Sequence, residues 1–198
     1  MRYTIVVLSI FLCTYVNSQN DTTMEIPYNK IPDYPETYTS GTMISRMIDG
    51  LGFRYYWATA DLREQDLNYK PSEDTRTIGE IVDHLYGLSE VIHNAAKKEV
   101  NDRTKPQQAI LKFEEKRIRT LRNLKMASEV FMSMEHLEEH NVIFKTQNGT
   151  TTFPFWNLIN GPIEDAVWHA GQIVILRRAA GNPIPKGVNV FLGQRKEN

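Results

Sequence analysis

Cysteine is almost absent from this 198-residue chain, in which Cys13 is the only one. A chain that loses its N-terminal stretch therefore has none, which excludes disulfides, thiolate metal ligands and a cysteine nucleophile. An excess of charge of one sign is missing too. With 23 Lys and Arg against 24 Asp and Glu, the formal charge is −1, so there is no basic footprint for nucleic acid or an anionic membrane. Beyond the N-terminus no run approaches the roughly 18 to 20 apolar residues that span a bilayer. Internal repeats and low-complexity tracts are also lacking. What is present, 41% hydrophobic residues over this length, suffices for one domain whose core needs no covalent cross-links.

The N-terminus has its own pattern. Met1-Arg2-Tyr3 is a short basic segment, Thr4 to Val16 is apolar, and Val16-Asn17-Ser18 offers a signal-peptidase site before Gln19. The pattern predicts a cleavable signal peptide over 1–18 and an exported protein, periplasmic or secreted, with no stable membrane span after cleavage. The alternative on the same residues is an uncleaved signal anchor. Leu12 is too large for the position before a lipoprotein cysteine. Asn20-Asp21-Thr22 and Asn148-Gly149-Thr150 fit the N-glycosylation acceptor pattern, which matters only in a eukaryotic source.

Residues 19–41, with Pro27, Pro32 and Pro35 among Asn, Asp and Thr, read as an extended leader without an element of its own. The domain then runs over 42–198. A helical pattern extends from Thr42 to about Asp66, although Gly50 and Gly52 weaken it. Thr77-Ile78-Gly79-Glu80 matches a capping box, and Ile78, Ile81, Val82, Leu85, Leu88 and Ile92 form the stripe of a second helix to about Lys98. A third long helix follows Pro106, with Ile110, Leu111, Ile118, Leu121, Leu124, Ala127 and Phe131 on its apolar side. The period then changes: Asn141 to Lys145, an Asn-Gly turn, and Thr150 to Phe155 predict a β-hairpin.

The fourth helix lies within 156–183. Ile163, Ala166, Val167, Ala170, Ile173, Val174 and Leu176 give its stripe, Pro162 suits its first turn, and Gly181-Asn182-Pro183 stops it. Val188, Val190, Phe191 and Leu192 suggest a tail that packs back on the domain. The fold class that follows is all-α, a four-helix bundle with a short β-hairpin between helices 3 and 4.

Asp165 and His169 are four apart on the fourth helix and so share a face. His84 on the second helix sits beside the apolar stripe and faces the bundle interior. Two imidazoles and one carboxylate from two helices make a three-ligand site with open positions, a donor set suited to Zn, Ni, Fe or Mn. The bland readings are a hydrogen-bonded core histidine and an aspartate serving the N-terminal end of its helix dipole. Gln172, three residues from His169, and Trp168 are candidate neighbours in the pocket, and Gln172 is equally readable as helix surface. His136-Leu137-Glu138-Glu139-His140 fits the inverted zinc-protease pattern, but at a charge-rich helix terminus it reads as a solvated end. His93 falls on a polar, exposed flank. Arg177 and Arg178 are dipole partners, or else contacts for an anionic substrate.

His84 within Ile81-Val82-Asp83-His84-Leu85, followed by His169-Ala170-Gly171-Gln172-Ile173, resembles the DinB/YfiT superfamily, as do the Trp156–Gly161 lead-in and the Arg177-Arg178 to Pro183 close. The likeness spans most of residues 42–183. Its members are small four-helix bundles, many holding a divalent metal through three histidines. The resemblance implies that His84, Asp165 and His169 are the metal ligands, with Asp165 standing where histidine is usual. It also implies a metal-dependent hydrolase or a thiol-dependent transferase or isomerase acting on a small molecule; export disfavours the thiol version. The other reading is a non-catalytic binding or assembly bundle with a degenerate site. A homodimer paired through helix faces is expected under both.

Overall fold

The computed structural model describes residues 25–105 and 111–196. The expected signal segment, the Asn20 acceptor and Ile110 lie outside the described residues.

Thr39 opens the first helix, α1 (Ser40–Thr59). The Thr42 N–H donates to Thr39 Oγ1 at 3.1 Å and the Thr39 N–H to Thr42 Oγ1 at 2.8 Å, so each end of the cap satisfies the other. α1 ends at Thr59, well short of Asp66. Ala60 is extended, Asp61 takes a left-handed φ of +55°, and the buried Arg177 claims the carbonyls of Trp57 and Ala58. A single turn, α2 (Glu64–Leu67), follows.

α3 (Ile78–Ala96) starts where its capping box predicts: the Glu80 N–H donates to Thr77 Oγ1, and the Thr77 N–H to the Glu80 carboxylate at 2.7 Å. α4 (Phe113–Met132) begins later than the apolar pattern suggested, with Lys112 as its first boundary and Leu111 ahead of it. A two-residue strand that the sequence did not reveal, β1 (Asn101–Asp102), pairs in parallel with β2 (Val142–Thr146). β3 (Gly149–Phe153) completes the hairpin. Thr146 pairs with Gly149, so the turn residues are Gln147 and Asn148 rather than Asn148 and Gly149; the glycine, at φ +123°, opens the returning strand.

The last helical stretch starts at Trp156 and never leaves helical backbone angles: α5 (Trp156–Leu158), a π turn (Ile159–Ile163) and α6 (Glu164–Ala179). Pro162 therefore sits inside the stretch, not in its first turn. A proline there has no N–H to give, and the widened π turn is where the ladder accommodates that loss.

α1 packs on α4 and α6, and α3 packs on the same two helices from the other side. Their shared core includes Ile48, Leu51, Leu85, Ile92, Leu121, Leu124, Phe131 and Ile173, all essentially inaccessible. Each such side chain contributes roughly 1.5–3 kcal/mol of transfer free energy. The chain is thus mostly helical with a small β-hairpin.

The N-terminal flank contributes to this core, and the C-terminal one returns to it by a backbone bond. Tyr28, in the stretch read as a leader, is buried; its hydroxyl donates to Asp49 at 2.9 Å and its ring covers Gly52, where a Cβ would approach to 2.4 Å. The tail forms β4 (Val188–Asn189) and β5 (Gln194–Arg195), and Gly193 O accepts the Ile31 N–H at 2.8 Å. It returns to the domain through that backbone bond and not through the apolar residues that suggested it: Val190, Phe191 and Leu192 are 51%, 89% and 40% exposed. Among the described residues no helix is long and apolar enough to cross a membrane.

Candidate metal centre

The phase of α3 is set by its cap at Thr77, which places His84 two turns further along, on the side that faces α6. On α6, Ala166, Ala170 and Ile173 anchor one face in the core. Asp165 and His169 flank that face one turn apart, immediately after the π turn. The two helices run past each other so that His84 Nε2 lies 2.9 Å from Asp165 Oδ2, and His169 Nε2 lies 3.3 Å from Asp165 Oδ1. Each imidazole thus meets one oxygen of the same carboxylate, and the rings stand edge to face with centroids 4.7 Å apart. One ligand atom from each residue falls within 4.8 Å of the others. Side-chain exposures of 33% for His84, 38% for Asp165 and 14% for His169 leave the cluster half-buried and open on one side.

The tautomer of His169 follows from its second nitrogen. Nδ1 lies 2.7 Å from Gln172 Oε1, an atom that only accepts, so Nδ1 carries the hydrogen. In a neutral ring Nε2 is then a lone pair, and it points at a carboxylate oxygen. Two acceptors at 3.3 Å repel. The contact becomes favourable when a proton or a metal cation lies between them. His84 has no such conflict, because its Nε2–H donates to Asp165 Oδ2. Two imidazoles and a carboxylate converging from one side, with positions left open, fit a borderline divalent cation once His84 carries its hydrogen on Nδ1 and frees Nε2.

Gln172 is half-buried and holds the ring of His169. Trp168 is 72% exposed and lines an open groove of about 1040 Å³ that has His169 in its wall. Other wall residues come from α1, from the loop before α3 and from the tail. The dipole reading of Asp165 loses its basis, since the helix is continuous for eight residues before Glu164.

The remaining candidates are not brought to this site. His136 and His140 lie beyond the end of α4. His140 is buried and its Nδ1–H donates to Ala95 O at 3.1 Å, while His136 is in solvent, so the inverted protease pattern has no shared ligand position. His93 is half-buried rather than exposed, and burial pushes its imidazole below the ordinary value. Arg177 is buried, donating to the carbonyls of Asn182, Trp57 and Ala58. It ties the end of α1 to the end of α6.

Sequence reasoning missed the groove residues Arg54, Arg76, Gly171 and Ile175. One signal was available: Gly171 stands mid-helix, where glycine costs about 1 kcal/mol relative to alanine. A Cβ built there meets nothing within 4 Å, so no packing inside the chain requires it. No family model matches the chain, and neither does a curated protein or a solved structure.

Proposed function

We propose that this chain is an exported bundle of the DinB/YfiT type in which His84, Asp165 and His169 bind one divalent cation, Zn, Ni, Fe or Mn, beside a groove that receives a small-molecule substrate. The observation that carries the reading is the convergence of His84, Asp165 and His169 within 4.8 Å, with His169 Nε2 3.3 Å from Asp165 Oδ1, a contact that a bound cation, like a proton, makes favourable. Bound there, the ion supplies Lewis acidity toward a water or thiol entering from the groove, chemistry suited to hydrolysis or thiol-dependent transfer. The chain's own contributions are distinct. Gln172 fixes the ring of His169, Asp165 neutralises part of the positive charge, and the groove wall offers apolar surface to a substrate.

A second reading, a non-catalytic binding bundle, is favoured by the His84–Asp165 hydrogen bond, which is complete without any cation. Metal analysis separates the two. Protein purified without chelator should carry about one ion per chain, and His169→Ala should lose it. Wild-type protein that remains metal-free after incubation with each of the four cations overturns the first reading.

A further inference from the structure

The groove beside His169 has an unbalanced lining. Trp57, Val167, Trp168, Gly171, Val174 and Ile175 make it predominantly apolar. The charged residues in its wall are Arg54, from α1, and Arg76, from the loop before α3; no Asp or Glu lines it. That is notable in a chain whose acids and bases are nearly equal in number. Arg54 gives one N–H to Gly50 O on its own helix, and among the described residues neither guanidinium forms a salt bridge, although the charge of Arg76 also helps hold the Glu80 carboxyl below its usual range. Arg54 is half-buried and Arg76 exposed, and a guanidinium can meet a carboxylate with two parallel N–H groups.

Gly171 adds a steric statement. Between Trp168 and Ile175, it leaves the groove floor without a side chain, at a helix position where almost any other residue stabilises more. Its absence of a side chain helps a molecule that lies against the helix backbone there.

We propose that the groove binds an amphipathic monoanion, an alkyl or aryl carboxylate, with its apolar body along Trp168, Gly171 and Ile175 and its carboxylate on Arg54 and Arg76. This rests on the groove being the substrate channel of the proposed metal site, and it names the substrate class. Binding itself uses none of the metal ligands.

Octanoate and 1-octanol, matched in length and different in charge, are the probes, with the full chain titrated by calorimetry and by tryptophan fluorescence. Octanoate should bind at least about tenfold more tightly than octanol, the scale expected of charged hydrogen bonds to a carboxylate. The Arg54→Gln, Arg76→Gln double variant should bring the two ligands within about twofold of each other. Gly171→Leu should abolish binding of both without lowering thermal stability, because its Cβ has open space and leucine is the better helix former.

The same titrations in EDTA, and on His169→Ala, should still show the anion preference. A chain that holds no metal but keeps this preference fails the metal reading alone. Equal affinity for the two probes overturns the substrate class, as does a preference that survives loss of both arginines. Undiminished binding by Gly171→Leu also overturns it. A dimer that Gly171→Leu dissociates, in protein that binds neither probe, assigns the groove to a second copy of the chain and overturns the proposal.

Discussion

Gln172 Oε1 holds the Nδ1–H of His169 at 2.7 Å, and that one bond decides which nitrogen of His169 faces Asp165. A ring so held presents a fixed lone pair, and fixed ligand geometry is worth a large part of a metal site's affinity. Replacing Gln172 by Leu keeps the volume and removes the acceptor. Affinity for Zn or Co, measured by competition with a chromophoric chelator, should fall by roughly 10- to 100-fold. Unchanged affinity would mean that the bond orients nothing that matters to metal binding.

How much of this site the sequence discloses depends on the distance over which each fact is decided. The Thr77/Glu80 cap is decided within four residues, and α3 begins where it predicts. The Asp165 and His169 spacing is equally local. His84 is 81 residues from Asp165, and nothing in its neighbours names its partner; the pairing follows from reading the chain as a bundle, which sets the second helix beside the fourth, and the three side chains do meet. Pro162 was misplaced because the preference for proline in a first turn says nothing of a π turn inside a longer helix. Arg177 was misread for a related reason. A last-turn arginine usually reaches solvent, and its burial depends on carbonyls about 120 residues earlier in the chain. The groove was invisible because the tail forms one of its walls.

Arg177 makes a stability prediction of its own. Its guanidinium satisfies three carbonyl oxygens in a place that water does not reach, where each orphaned acceptor costs on the order of 1 kcal/mol or more. Arg177→Met preserves length and apolar volume while removing every donor. It should destabilise the fold by about 3 kcal/mol, and the melting temperature should drop by roughly 6–12 °C for a domain of this size. Arg177→Lys, which keeps the charge and one donor group, should fall between. A melting temperature within about 2 °C of the wild type for Arg177→Met would show that the three carbonyls find other partners.

Asp66 ties α2 to the segment after α6 and sets an acid limit on the fold. The Arg63 guanidinium donates to both of its oxygens, at 2.9 and 2.7 Å, the Arg63 N–H adds a bond at 2.8 Å, and Asn182 Nδ2 donates at 2.7 Å. Those bonds, the Arg63 side chain's first, hold the carboxyl well below the usual carboxylate range, against the opposing effect of its burial. The folded state therefore releases this proton more readily than the unfolded state, whose aspartates titrate near 3.9. The resulting stabilisation is fully present above about pH 5 and is lost as pH falls through the unfolded value toward the folded one. Asp66→Asn keeps the shape but cannot ionise. It should lower the urea midpoint at pH 7, and the deficit should shrink steadily between about pH 4 and pH 2, where the wild type loses what the variant never had. A deficit that stays constant across that range would place the acid sensitivity of the fold in other carboxylates.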